Sequence, residues 1–119
     1  MEIFKVFKFD AAHCLPKVQP GHKCSQKHGH SFVVEIHICG SVDPDSGWVM
    51  DFADIEKTFK PLHDQLDHKY LNNIEGLDNP TSENIAKWIW KHLHSTLPQL
   101  TKVIVKENPE AGCIYRGEG

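Results

Sequence analysis

The chain has 119 residues, 39% of them hydrophobic and 24% charged, with a formal net charge of −3. This length predicts one domain over residues 1–119, and no apolar run approaches the ~18–20 residues that span a bilayer, so we expect no membrane segment. The net acidity, without any cluster of lysine and arginine, argues against a nucleic-acid surface. The first residues lack the charged-then-apolar pattern of a signal peptide, so we expect a cytoplasmic protein.

The first part of the chain predicts two strands separated by a long loop. Residues 3–10 are rich in aromatic and β-branched side chains, and we expect this strand to end near His13. Residues 14–27 are rich in proline and polar residues and predict a loop. Residues 30–42 alternate in hydrophobicity, and the apolar positions on one face are Phe32, Val34, Ile36 and Ile38. This alternation is typical of an antiparallel sheet with one buried face.

Two helices are predicted next. Asp51 is suited to cap a helix over about 52–66, which Pro61 is expected to kink or split. Residues 79–83, Asn-Pro-Thr-Ser-Glu, are typical of the start of a second helix. The helical spacing of its apolar residues places His92 on the buried face.

Two further strands, at about 100–107 and 113–116, close the chain. The element order is therefore ββααββ. Strands and helices grouped in this way predict an α+β fold, with two helices on one face of a four-stranded antiparallel sheet. The exposed edges of such a sheet favour association with other copies of the chain.

Histidines at the ends of the first two strands are candidate metal ligands. His28 and His30 are two residues apart, so in an extended segment their side chains point the same way. An H-x-H pair is also compatible with two surface histidines. His13 is a third candidate, because sequential strands are usually neighbours. Three imidazoles suit zinc and leave a fourth coordination position open for water or substrate.

Cys24, four residues before His28, has three possible roles on spacing alone. As a fourth ligand it would close the metal site, whereas as a free thiol near a cation it would act as a base or nucleophile. It is otherwise an inert loop thiol. The remaining cysteines are expected to be small buried hydrophobic residues: Cys14, Cys39 and Cys113.

Other polar residues are candidates for proton transfer or ligand binding. Asp67 and His68 are an adjacent acid and imidazole, the usual components of a proton shuttle, or else two solvated loop residues. Glu107 ends an apolar strand, where it either lies in solvent or pairs with two parallel N–H donors of a ligand. Thr81 and Ser82 are expected to cap the second helix, with ligand contact as a secondary role.

Taken together, these residues resemble the 6-pyruvoyltetrahydropterin synthase family. The resemblance covers almost the whole chain and is carried, in the family's order and spacing, by His13, Cys24-x-x-x-His28-Gly29-His30, Leu66-Asp67-His68, residues 79–83 and Glu107. The short gap between Cys24 and His28, together with residues 111–118, is most similar to the bacterial branch. That branch comprises the 6-carboxy-5,6,7,8-tetrahydropterin synthases of queuosine biosynthesis.

The resemblance implies the tunnelling fold, in which ββααββ subunits join their sheets into a barrel. It implies a homo-oligomer, a dimer of trimers, with active sites between subunits. It further implies one zinc ion per subunit on His13, His28 and His30. In this arrangement Cys24 is the catalytic thiolate rather than a ligand.

The resemblance also implies roles for the remaining residues and a reaction. Asp67 and His68, from the same or a neighbouring subunit, complete the proton-transfer set, and Glu107 binds the pterin. The implied enzyme is a lyase that converts 7,8-dihydroneopterin triphosphate to 6-carboxy-5,6,7,8-tetrahydropterin, releasing acetaldehyde and triphosphate. One alternative is a 6-pyruvoyltetrahydropterin synthase, which eliminates triphosphate without breaking the carbon–carbon bond. The other is a zinc-binding module without catalysis.

Overall fold

In the computed structural model, which describes residues 1–118, the chain folds into a four-stranded antiparallel sheet and two α-helices. The strands and helices are β1 (Glu2–His13), β2 (His28–Cys39), α1 (Phe52–Leu66), α2 (Ser82–Leu93), β3 (Leu100–Asn108) and β4 (Ala111–Tyr115). The strands lie side by side in sequence order, so β1 and β4 are the edges. The predicted α+β fold and ββααββ order are confirmed.

The core lies between the helices and one face of the sheet. The alternation predicted for β2 is confirmed, since its four inward side chains are fully buried: Phe32, Val34, Ile36 and Ile38. Phe7 of β1 packs on Phe59 of α1, with ring centroids 4.3 Å apart. Phe9 of β1 stacks on Phe32 at 4.9 Å. Each such burial contributes roughly 1.5–3 kcal/mol, so these contacts fix β1 and β2 relative to the helices.

β1 and β2 pair along their whole length, from Glu2 opposite Cys39 to His13 opposite His28. β1 therefore runs on to His13, and β2 begins at His28 rather than at residue 30. β1 thus ends where predicted, and backbone pairing in the ladder extends the start of β2 beyond what side-chain periodicity predicts. β2 ends at Cys39, earlier than residue 42, and the Gly40 N–H donates to the Met1 carbonyl at 3.0 Å next to the last strand pair, Glu2 with Cys39.

α1 begins where predicted, because the Asp51 carboxylate accepts a hydrogen bond from the Ala53 N–H at 2.9 Å. Pro61 lies inside this helix without dividing it, so of the two predicted outcomes the split is wrong, whereas the kink stays a prediction. The proline ring is exposed, while Phe59 and Leu62 on either side of it are buried. Packing of these neighbours against the sheet holds the two halves of α1 together despite the lost backbone donor.

α2 begins after Thr81, whose hydroxyl accepts a hydrogen bond from the Asn84 N–H at 3.1 Å. The prediction that His92 is buried is wrong, because this side chain is exposed. Its ring packs on that of Trp88, with centroids 4.2 Å apart, at the margin of the face that buries Leu93. Within residues 1–118, no helix has the length and apolarity needed to cross a membrane.

The segment that follows α1, residues 67–72, lies along the outer edge of β1, and we call it the edge segment. The His68 N–H donates to the Asp10 carbonyl at 2.6 Å, and the Ala12 N–H donates to the Lys69 carbonyl at 3.1 Å. The edge segment therefore acts as a short additional strand on β1. It covers the end of that edge where His13 lies.

Candidate active site

The three histidines predicted as metal ligands converge at one end of the sheet. His13 faces His28 across the β1–β2 ladder, and His30 lies two residues further along β2. One ring nitrogen from each histidine lies within 4.8 Å of the others. The ring centroids are 4.5 to 5.1 Å apart. Converging imidazole nitrogens at this spacing are a ligand set suited to a divalent transition metal.

Backbone carbonyls orient two of these rings. His13 Nδ1 lies 2.8 Å from the Pro80 carbonyl oxygen, and His28 Nδ1 lies 2.7 Å from that of Gln26. Because a carbonyl only accepts hydrogen bonds, each Nδ1 carries the proton and each Nε2 has a free lone pair. The Nε2 atoms of His13 and His30 are buried, and nothing in the described chain bonds to them. A bound metal ion would satisfy these otherwise costly buried nitrogens.

The surroundings of His13 and His30 favour their neutral form. Burial lowers the pKa of His13 below its ordinary 6.5, against opposing effects of the hydrogen bond to Pro80 and the charge of Glu107. Burial also lowers the pKa of His30, again opposed by Glu107. Neutral imidazole is the form that binds a metal, so the site favours a metal ion over protons.

Glu107 lies near the end of β3, where a β-bulge interrupts the pairing with β4, and its charge acts on both His13 and His30. The register with β4 shifts between Lys106 and Asn108, which makes Glu107 the extra residue of the bulge. Its carboxylate accepts a hydrogen bond from Ser82 Oγ, 3.4 Å away. Ser82 is thus directed toward Glu107, whereas Thr81 alone caps α2 with its side chain. At this length the Ser82 bond is weak, and the carboxylate keeps the capacity to accept donors from a ligand.

Cys24 lies in a short 3₁₀ helix, Lys23–Ser25, in the loop between β1 and β2. Its N–H donates to His22 Nδ1 at 3.0 Å, and its carbonyl accepts from the Leu15 N–H at 2.7 Å. The thiol is half-buried, and it makes no hydrogen bond within the described residues. The group of metal-ligating atoms found there does not include it. The loop therefore holds Cys24 by its backbone, and a role as fourth ligand has no support in this geometry.

Asp67 and His68 contact each other at the start of the edge segment. His68 Nδ1 lies 2.9 Å from one Asp67 carboxylate oxygen, and the other accepts from the Asp10 N–H at 3.0 Å. The hydrogen bond from the Asp10 N–H is the main cause that lowers the pKa of Asp67, and the hydrogen bond from His68 lowers it further. His68 adopts a φ of 59°, which is unusual for a residue other than glycine, and its side chain is 77% exposed. An ionised carboxylate thus orients an accessible imidazole; a role in catalysis stays a prediction.

The pair is separate from the histidine cluster in this chain. Among residues 1–118, no hydrogen bond or ion pair links Asp67 or His68 to Cys24 or to a predicted metal ligand. A surface cleft of about 600 Å³ connects the two regions, however, since His30 and His68 both line it, together with Lys27. A ligand in this cleft would meet the positive charge of Lys27.

Three residues near the site carry no recognisable pattern in the sequence. The Cys14 thiol lies 3.2 Å from the Tyr70 hydroxyl, and the Asn72 side chain bonds to the Cys14 backbone. Cys14 is therefore part of a polar network rather than a simple hydrophobic residue. The same expectation is wrong for Cys39, which is exposed. Only the docking of the edge segment brings these groups together.

Comparisons with known proteins agree with this geometry. The family model described as 6-pyruvoyl tetrahydropterin synthase matches residues 2–118. A 6-carboxy-5,6,7,8-tetrahydropterin synthase of Synechocystis is 39% identical over 119 residues, covering 95% of this chain and 91% of the relative. A dihydroneopterin monophosphate aldolase of Pyrococcus furiosus is 37% identical over 107 residues, covering 87% of each chain. The structure of Caenorhabditis elegans 6-pyruvoyl tetrahydropterin synthase matches with a TM-score of 0.91 at 31% identity, covering 99% of this chain and 96% of that one.

Proposed function

The chain belongs to the 6-pyruvoyl tetrahydropterin synthase family, and from this premise we propose that it is a zinc-dependent lyase of queuosine biosynthesis. The proposed reaction converts 7,8-dihydroneopterin triphosphate and water to 6-carboxy-5,6,7,8-tetrahydropterin, acetaldehyde and triphosphate. The Synechocystis relative that carries this product's name supports the choice of reaction. The observation that carries the proposal is the convergence of three imidazoles with two buried, unpartnered Nε2 atoms.

The three histidines fit the proposed zinc ion. His13, His28 and His30 would supply one nitrogen each, and the hydrogen bonds to Nδ1 of the first two already fix the required tautomer. Three protein ligands leave a coordination position for the substrate. When bound, zinc supplies a Lewis acid that polarises the hydroxyl groups of the substrate side chain.

Proton transfer falls to residues outside the metal set. The Cys24 thiol is half-buried and unbonded, so as a thiolate it would remove a proton from the substrate side chain. Asp67 holds His68 by a 2.9 Å contact, and the exposed imidazole would return or relay protons as the product forms. We propose that this pair serves the cleft together with Cys24, with a neighbouring subunit completing the site.

Glu107 is the proposed binding residue for the pterin ring. The 2-amino-4-oxo edge of a pterin presents two parallel N–H donors, which match the two oxygens of one carboxylate. The charge of Glu107 acts on both His13 and His30, so a ring bound at Glu107 would extend its side chain toward the metal. Ser82 would hold the carboxylate through its hydrogen bond. The Thr81 hydroxyl is engaged at the helix cap, which favours capping over ligand contact.

We further propose a homo-oligomer, a dimer of trimers whose sheets join into a barrel. β4 and the part of β1 that the edge segment leaves uncovered are available for pairing with neighbouring copies. The face turned away from the helices also exposes large apolar side chains: Phe4 is 53%, Val6 40% and Ile114 49% exposed. Joining the sheets would remove this apolar surface from water.

Incubation of the zinc-loaded protein with 7,8-dihydroneopterin triphosphate tests the proposal. Acetaldehyde and the 6-carboxy product would support it. A product with a diketone side chain would instead identify a pyruvoyl synthase, and unchanged substrate with one bound zinc per chain would identify a non-catalytic metal-binding module. A parallel incubation with dihydroneopterin monophosphate tests the activity for which the Pyrococcus relative is named. Faster turnover of the monophosphate would overturn the proposal.

A further inference from the structure

Asn72 binds three backbone groups at the end of the edge segment. The Cys14 N–H donates to Asn72 Oδ1 at 2.9 Å, and Asn72 Nδ2 donates to the Cys14 carbonyl, also at 2.9 Å. The same Nδ2 lies 3.4 Å from the Asp78 carbonyl. The same Nδ2 also lies 3.6 Å from the Cys14 thiol, so a single amide binds both backbone groups of Cys14 and contacts a second segment at Asp78.

Both of these segments control the position of His13. Cys14 directly follows His13, so the Asn72 bonds fix the backbone at this end of β1. Asp78 is two residues before Pro80, whose carbonyl accepts the hydrogen bond from His13 Nδ1 at 2.8 Å. Asn72 thus holds both the main chain that carries the imidazole and the loop that orients its ring. The His13 side chain is fully buried, which makes its Nε2 sensitive to any shift of either segment.

The same segment carries the pair proposed for proton transfer. Asp67 and His68 lie at its opposite end, where they bond to the Asp10 backbone. Asn72 fixes the far end of the segment to the strand that holds His13. The position of His68 relative to the metal site therefore depends on attachments at both ends of the edge segment.

We propose that Asn72 is a positioning residue, which keeps the metal ligand His13 and the Asp67–His68 pair in a fixed relation. The metal part of this inference needs only the three-histidine site, whereas the catalytic part rests on the proposed function. Replacing groups that orient a metal ligand typically lowers metal affinity or activity by about 10- to 100-fold. We expect losses of that order at Asn72, with little change in KM, because Asn72 is not placed to contact the substrate.

Metal affinity provides the first test and does not require activity. Zinc is titrated into the metal-free protein in competition with a chromophoric chelator. Asn72→Ala should weaken binding by about 10- to 100-fold. Asn72→Asp keeps the acceptor for the Cys14 N–H but loses both donors, so it should weaken binding to a similar degree. Asn73→Ala, an exposed neighbour in the same short 3₁₀ helix, is the matched control and should bind like the wild type.

Steady-state kinetics and thermal unfolding complete the test. If Asn72 positions the proton-transfer pair, kcat should fall in the zinc-saturated Asn72→Asp variant while KM stays near the wild-type value. A lower melting temperature with unchanged metal affinity and kcat would show a purely structural role and overturn the inference. A wild-type protein that binds zinc but leaves the substrate intact would refute the proposed function instead. The affinity comparison between variants would still decide the role of Asn72 at the metal.

Discussion

Zinc should stabilise the folded chain, and His30 is the residue whose replacement tests this most directly. Its Nε2 is buried and bonds to nothing within residues 1–118, so the folded protein bears the cost of an unpaired nitrogen until a metal binds. Replacing His30 by alanine removes that nitrogen and leaves two imidazoles, His13 and His28, in the cluster. The variant should therefore lose most of the stabilisation that zinc provides.

The expected size follows from linkage. At a free zinc concentration 100 times the Kd, binding to the folded state adds about 2.7 kcal/mol to the free energy of unfolding. The entropy of unfolding is about 2.1 cal/mol/K per residue, or ~0.25 kcal/mol/K for a chain of 119 residues. Zinc should thus raise the wild-type melting temperature by about 11 °C.

Thermal unfolding of each protein with and without zinc measures this shift. His30→Ala should show only a small part of it. His94→Ala is the matched control, because His94 is an exposed histidine at the end of α2 and outside the cluster, so it should show the full shift. A full shift in His30→Ala, or none in the wild type, would refute the assignment of the histidines as a metal site.

Three other changes address the remaining groups. Cys24→Ala should abolish turnover and leave about one zinc per chain by metal analysis; loss of the metal would make Cys24 a ligand. Glu107→Gln should weaken pterin binding by about 10- to 150-fold in a titration, because a charge-assisted hydrogen bond contributes about that much to affinity. Unchanged binding would exclude Glu107 as the residue that binds the ring. Hydrogen bonding from His37 lowers the pKa of Glu35 below 4.5, so this carboxylate stabilises the fold above pH ~4.5 and loses that contribution as the pH falls further. Urea unfolding from about pH 6 to pH 3 should therefore show a shallower decline in Glu35→Gln than in the wild type.

Local patterns were sufficient to predict most of the fold. The alternation from Phe32 to Ile38 predicted the buried face of β2. Alternate side chains of a strand lie on one face, so these apolar residues are buried together only when that face is turned toward the helices. Asp51 and Thr81 marked the helix starts because side-chain capping needs only neighbouring residues. Pairing of sequential strands then placed His13 opposite the H-x-H pair.

Features that depend on contacts between distant segments could not be predicted in this way. The β-bulge at Glu107 depends on the pairing of β3 with β4. The bonds of Asn72 to Cys14 depend on docking of a loop 58 residues away in the chain. The exposure of His92 could not be predicted, because helical periodicity indicates which face of α2 is buried but not where that face ends. The packing of the His92 ring on Trp88 lies at this boundary.

The pairing of His13 with His28 bears on how this protein can change in evolution. The ladder sets the positions of the three histidines, and residues 15–25 lie between Cys14 and Gln26, whose backbone groups take part in orienting them, so insertions or deletions within 15–25 would leave the histidine cluster unchanged. Doubling a loop's length costs only about 0.6 kcal/mol, whereas one residue inserted within β1 would turn His13 to the opposite face of the sheet. Cys24, which lies in that loop, would move with each change in its length. The chain can therefore vary the position of the Cys24 thiol independently of the proposed metal site.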